Sequence, residues 1–169
     1  MRTRDQLQAT VNGLKVLTTQ KSGDLRATYD TFATEVKGTQ EAAARAVARA
    51  RKMEAASKQY FGEWQASLIG VSNNSLRKKG LKRLDEARKS DDKVIASLKE
   101  SGEKFKPFLA NLSEVQKALA HDITPAGVKA VRGVARDAES NMRKVARSID
   151  SAIEELDGLE RSLSFESRG

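Results

Sequence analysis

Apolar residues recur at spacings of three and four along nearly the whole chain, and that period predicts four helical stretches. The first, over residues 3–19, puts Leu7, Val11, Leu14 and Leu17 on one face. Lys21, Ser22 and Gly23 interrupt it, and Asp24 is placed to cap the next helix. The second runs over 24–69 with an inward seam of Leu25, Tyr29, Phe32, Val36, Thr39, Ala43, Ala46, Ala50, Met53, Ser57, Tyr60 and Trp64. Its steps alternate four and three, the period of about 3.5 residues of a supercoiled helix. Small residues fill the middle of this seam and aromatic ones its ends.

Gly70 to Ser75 is a turn, built from a glycine and polar residues that favour turns and caps. A third helix follows over 75–120, lined by Leu81, Leu84, Val94, Leu98, Phe105, Phe108, Leu112, Val115 and Leu119. Its seam weakens near Arg88 and Asp91, where looser packing is expected. Pro107 removes a backbone donor and predicts a kink or a local break. After a second turn at His121–Ile123, Thr124 as cap and Pro125 at the first helical position start a fourth helix over 125–163. Its line of Val128, Val131, Ala135, Ala138, Met142, Val145, Ile149, Ala152, Leu156, Leu159 and Leu163 is the most regular of the four, and fraying is expected from Phe165 to Gly169.

Short turns force sequential helices antiparallel. The expected fold is therefore all-α: an elongated antiparallel three-helix coiled-coil bundle of spectrin-like type, with a short extra N-terminal helix, in one domain over residues 1–169. Helices of this length would each span roughly 60–70 Å. Composition agrees: 32% of residues are charged, 5% are aromatic and only two are proline, a mixture typical of long helices. No apolar run approaches the roughly 18–20 residues that cross a bilayer, and the segment from Met1 to Asp5 lacks the apolar core of a signal peptide.

The formal net charge of +8 points to an anionic partner. Its distribution narrows that reading. The last helix is basic in its first half and acidic in its second, the second helix is split the opposite way, and an up-down-up register would set acid against base at both ends. What stays unmatched is the basic N-terminus with Arg2 and Arg4, and the cluster Arg77, Lys78, Lys79, Lys82 and Arg83. That cluster is a solvated helix face in the plainer reading and an anionic-partner surface in the sharper one.

Candidate chemistry is sparse. The chain has no cysteine and one histidine, so zinc sites built from these residues and paired Glu-x-x-His motifs are excluded. His121, in a turn, is expected to help cap the preceding helix. No Gly-rich phosphate loop occurs, and pairs such as Asp91-Asp92 and Glu154-Glu155 are splayed around the helix. No catalytic, cofactor or metal-binding residue is predicted, and no cofactor. Tyr60, Phe61 and Trp64 form an aromatic cluster that serves either the core or a groove.

Several segments, in order, resemble a family of unknown function. They are Gly23-Asp24-Leu25 with Tyr29 and Phe32, Tyr60-Phe61 with Trp64, Ser72-Asn73-Asn74-Ser75-Leu76-Arg77, Phe105-Lys106-Pro107-Phe108-Leu109 and Asp122-Ile123-Thr124-Pro125-Ala126-Gly127-Val128. The family is the bacterial DUF2959. The resemblance implies a helical protein of the bacterial envelope or periplasm, against a cytoplasmic alternative, and carries over no functional residue.

The expected function is that of a non-catalytic structural or interaction protein, a rigid helical rod that docks or spaces protein partners. The alternative is a peripheral scaffold on an anionic membrane surface. A nucleic-acid partner is disfavoured, because aromatic interleaving and a base-reading motif are lacking. Monomer and homodimer are both open.

Overall fold

The computed structural model describes residues 3–20 and 23–165. Among these the chain is all α-helical, with α1 at Thr3–Thr19, α2 at Leu25–Ile69, α3 at Asn74–Ala120 and α4 at Pro125–Phe165. The caps form as their residue types dictate. Asp24 Oδ1 accepts from the backbone N–H groups of Arg26 and Ala27 at 2.9 and 3.1 Å. Asn73 does the same for Ser75 and Leu76, starting α3 one residue earlier than predicted. Thr124 Oγ1 accepts from Gly127 N–H at 3.1 Å. Of the predicted frayed tail, Phe165 still belongs to α4, and 166–169 lie outside the described residues, as do Met1, Arg2, Lys21 and Ser22.

The helices pack as two compact units: Met1–Val47 with Ser101–Arg147, and Ala48–Glu100 with Ser148–Gly169. The first unit holds α1 and the densest apolar packing. Leu14, Leu17, Phe32, Val36, Phe108, Leu112, Val115, Leu119 and Val145 are fully buried there, each stabilising by about 1.5–3 kcal/mol relative to exposure. Helix α1 runs antiparallel to the start of α2. Thr10 sits within 2.6 Å of Thr39, hydroxyl to hydroxyl, and also donates towards the carbonyls of Gln6 and Glu35. Gln6 Nε2 donates to the Glu35 carboxylate at 2.7 Å. Small residues permit the approach: a Cβ on Gly38 would lie 2.9 Å from the Gln6 side chain. The other helices are tied by Tyr29 O–H to the Gln116 carbonyl, Asn141 Nδ2 to Asn111 Oδ1 and Arg132 Nε to the Thr18 carbonyl.

In the second unit, α2 and α3 run antiparallel, as the pairs Glu54–Lys99, Ser57–Asp91 and Gln65–Arg88 show. Its core is small: Phe61, Leu84 and Ala87, with Trp64, Leu68 and Leu163 packed against them.

Two expectations about the seams need correction. Tyr60 is not a seam residue; it is 53% exposed, whereas Phe61 is 5% exposed. From Met53 the inward positions run Ser57, Phe61, Trp64 and Leu68, so two successive steps of four replace the alternation and shift the inward face by one residue. Nor does the seam of α3 lapse near Asp91. From Leu84 it reads Ala87, Asp91, Val94, Leu98, Ser101, Phe105 and Phe108, all buried or half-buried, in unbroken steps of three and four. Asp91 is tolerated inside because Ser57 Oγ donates to its Oδ1 at 2.8 Å. Pro107 does not break α3. It faces solvent, while Phe105 and Phe108 are buried on either side of it. His121 is exposed and, among the described residues, makes no hydrogen bond to the end of α3.

Charges often find partners along their own helix rather than across helices. Arg26–Asp30, Arg45–Glu41, Lys82–Glu86 and Lys89–Asp85 are all i,i+4 pairs. Lys99 does cross from α3 to Glu54 of α2, at 3.1 Å. Hydrogen bonds from Lys58 and Lys99 hold the Glu54 carboxyl below its ordinary range.

Two stability predictions follow from this packing. A Cβ on Gly127 would fall 2.2 Å from the Asp122 carbonyl oxygen, whereas one on Gly133 meets nothing within 4 Å. Gly127→Ala should therefore cost about 1–3 kcal/mol, and Gly133→Ala should stabilise by about 0.5–1 kcal/mol, so thermal melting should shift in opposite directions. Phe61→Ala should cost about 3–5 kcal/mol and Tyr60→Ala far less in chemical denaturation. Equal losses would restore Tyr60 to the core.

Candidate docking surface

The predicted basic cluster lies at the α2–α3 end of the second unit. Helix α2 stops because Gly70 follows Ile69 and Val71 N–H bonds back to the Leu68 carbonyl at 3.2 Å. Asn73 then caps α3, which carries the cluster in its first three turns. At roughly 100° per residue, Lys78, Lys82, Lys79 and Arg83 fall within an arc of about 140°. That arc is opposite the buried Leu84 and Ala87, and all four residues are exposed. Arg77 stands apart, on the side of the helix that carries the buried Leu84 seven residues on. It is half-buried, and its guanidinium donates to the side-chain oxygen of Asn74.

The next two basic residues along α3 are locally committed. Lys89 pairs with Asp85 at 2.7 Å, and that hydrogen bond holds its ammonium pKa above the ordinary lysine value. Arg88 donates to the Gln65 side chain and stands 5.8 Å over the Phe61 ring. Within the cluster, Lys82 lies 3.8 Å from Glu86, a loose pair between exposed groups. Lys78 and Lys79 have no ion-pair partner among the described residues. Residues 64–84 hold five cations and no carboxylate.

Large aliphatic side chains, not legible as exposed from the sequence, share this end. Ile69 is 71%, Leu76 60% and Leu81 42% exposed. Leu76 lies on the same face as Lys79 and Arg83, at i+3 and i+7, and Leu81 lies one turn from Lys78. Leu81 was expected in the seam of α3, and the seam residues there are Gly80 and Leu84 instead. At Gly80 the two helices close up on Leu68, whose Cδ2 would lie 2.4 Å from an added Cβ.

Of the aromatic cluster, Phe61 is in the core and Trp64 packs against it, while Tyr60 stays exposed. Phe61 and Trp64 stack at 6.3 Å between centroids, and Tyr60 lies edge-on to Phe61 at 5.3 Å from the solvent side. An open depression of about 640 Å³ is lined on α4 by Leu156, Leu159, Glu160 and Leu163, the last of which also packs on the Phe61 core. Three leucines and a single carboxylate supply no pair of titratable groups there. Among the described residues no group of three His, Cys, Asp or Glu side chains could hold a metal ion. No helix among them is long and apolar enough to cross a membrane.

A family described as "Protein of unknown function (DUF2959)" matches residues 1–163. No curated protein and no solved structure matches the chain.

Proposed function

The chain belongs to the DUF2959 family, and for it we propose a non-catalytic structural and interaction role: a helical protein of the bacterial envelope that docks partners at its α2–α3 end. The observation that carries this reading is the pairing of exposed Ile69, Leu76 and Leu81 with five cations and no carboxylate over residues 64–84. Aliphatic side chains held in water beside a block of like charge are what an interaction site leaves uncovered until its partner arrives.

The long helices suit such a role. Inward residues recur at steps of three and four through α2, α3 and α4, which supports an elongated antiparallel three-helix coiled coil of spectrin-like type with α1 as the extra helix. Such a protein can act as a monomer or as a homodimer. The envelope location rests on the family resemblance.

Site-specific photo-crosslinking in the organism that makes the protein tests the reading. A benzophenone side chain at position 76 should give products several-fold more abundant than one at position 130, where Ala130 is also exposed but lies on α4 of the first unit. Equal yields at the two positions would remove the α2–α3 end as a docking surface.

A further inference from the structure

We propose that the partner of the α2–α3 end is an anionic lipid surface, with Ile69 and Leu76 entering the headgroup region and Lys78, Lys79, Lys82 and Arg83 lying against lipid phosphates; this rests on the docking reading above and names its partner. Three features on this end converge on that partner. The first is charge: residues 64–84 carry five cations and no carboxylate, and Lys78 and Lys79 have no ion-pair partner among the described residues. A negatively charged surface attracts such a block, and the attraction fades with salt.

The second is the kind and place of the apolar groups. Ile69 ends α2, Leu76 is in the first turn of α3, and both are more than half exposed on either side of the turn. Aliphatic tips at a helix turn can enter the acyl boundary without backbone rearrangement, because the turn's own bonds are made by Asn73 and Leu68. The third is spacing. Leu76 shares a face with Lys79 and Arg83, and Leu81 is one turn from Lys78, so the lysine and arginine stems can lie along apolar surface while their heads reach phosphate.

Nucleic acid offers phosphate too, but it gives the aliphatic side chains no place to go. The one tryptophan near this end, Trp64, is packed on the core with Phe61 and is not presented for base stacking. An acidic protein would accept both charge and leucines. A lipid surface is favoured because Ile69, Leu76 and Leu81 stand exposed as single aliphatic tips among the cations on either side of a turn.

The test uses the full chain in co-sedimentation with vesicles of phosphatidylcholine alone and of phosphatidylcholine with about one third phosphatidylglycerol, at low and physiological salt. Binding should appear on the anionic vesicles only and persist at physiological salt. Each Gln substitution among Lys78, Lys79, Lys82 and Arg83 should weaken the partition about five-fold, and their joint replacement should abolish the salt dependence. The double change Ile69→Ser, Leu76→Ser should weaken it about ten-fold and leave the salt dependence intact. All these positions are exposed, so unchanged helicity and melting show that the variants are folded.

Two outcomes overturn the inference. One is no anionic-vesicle binding at physiological salt. The other is binding that is indifferent to Ile69→Ser, Leu76→Ser and equalled by duplex DNA, which would mark a generic polyanion site. If vesicles fail while position 76 still crosslinks to a protein, the lipid assignment falls and the docking role stands. If the crosslink fails as well, both fall.

Discussion

The apolar seam carried by α2, α3 and α4 is the constraint on which the other features of this protein hang. A helix in a protein owes most of its stability to the face it buries and little to intrinsic propensity. At 45, 47 and 41 residues these three helices must each keep one stripe covered over many turns. Inward positions at steps of three and four meet that requirement. They also fix what the remaining positions can do, because the opposite face is left to charge. The i,i+4 pairs along α2 and α3 and the open arc of cations on α3 are products of that division.

A seam made only of Ala, Val and Leu would be nearly indifferent to a slip of one heptad. Polar pairs placed at single heights remove that freedom. Thr10 meets Thr39, Ser57 meets Asp91 and Asn111 meets Asn141, each at hydrogen-bonding distance and each joining two different helices. Shift any helix by seven residues and these groups lose their partners, which costs about 1–3 kcal/mol for each buried group left unpaired. The pairs therefore select a register more than they add stability, as a polar residue does at an inward position of a coiled coil. Asp91 is the sharpest case, since a buried carboxylate without Ser57 would be costly in any other alignment.

The same residues explain what could be read from the sequence and what could not. Helix identity and limits were legible because Asp24, Thr124 and Pro125 act locally, and their caps form as their side chains require. The inward face of α2 was legible up to Ser57 and not beyond it. Extending the alternation selects Tyr60, and nothing local says that two steps of four bring Phe61 inward instead; the contacts with Leu84 and Ala87 decide it. Asp91 was misread for a related reason, because its partner Ser57 lies on another helix and a lone carboxylate looks like a lapse in the seam. The basic cluster was visible as a run of letters. The exposed Ile69, Leu76 and Leu81 beside it were not, because exposure at a helix end depends on which neighbouring side chains reach that far.

The proposed partner would relieve two unfavourable arrangements at that end. Five cations within residues 64–84 repel one another with no carboxylate among them, and two turns of helix hold aliphatic side chains in water. Both arrangements work against folding, and both are avoidable, since glutamate among the lysines or serine in place of Ile69 would relieve them without touching the core of Phe61, Leu84 and Ala87. One contact removes both penalties at once: a surface that brings negative charge to the lysines and an apolar layer to the leucines. The first unit stands as a contrast, with its buried residues locked by α1 and its polar groups paired across helices. Val16 and Val47 are its exposed large apolar side chains among the described residues, whereas Ile69, Leu76 and Leu81 gather at the α2–α3 end, where the proposed partner would cover them.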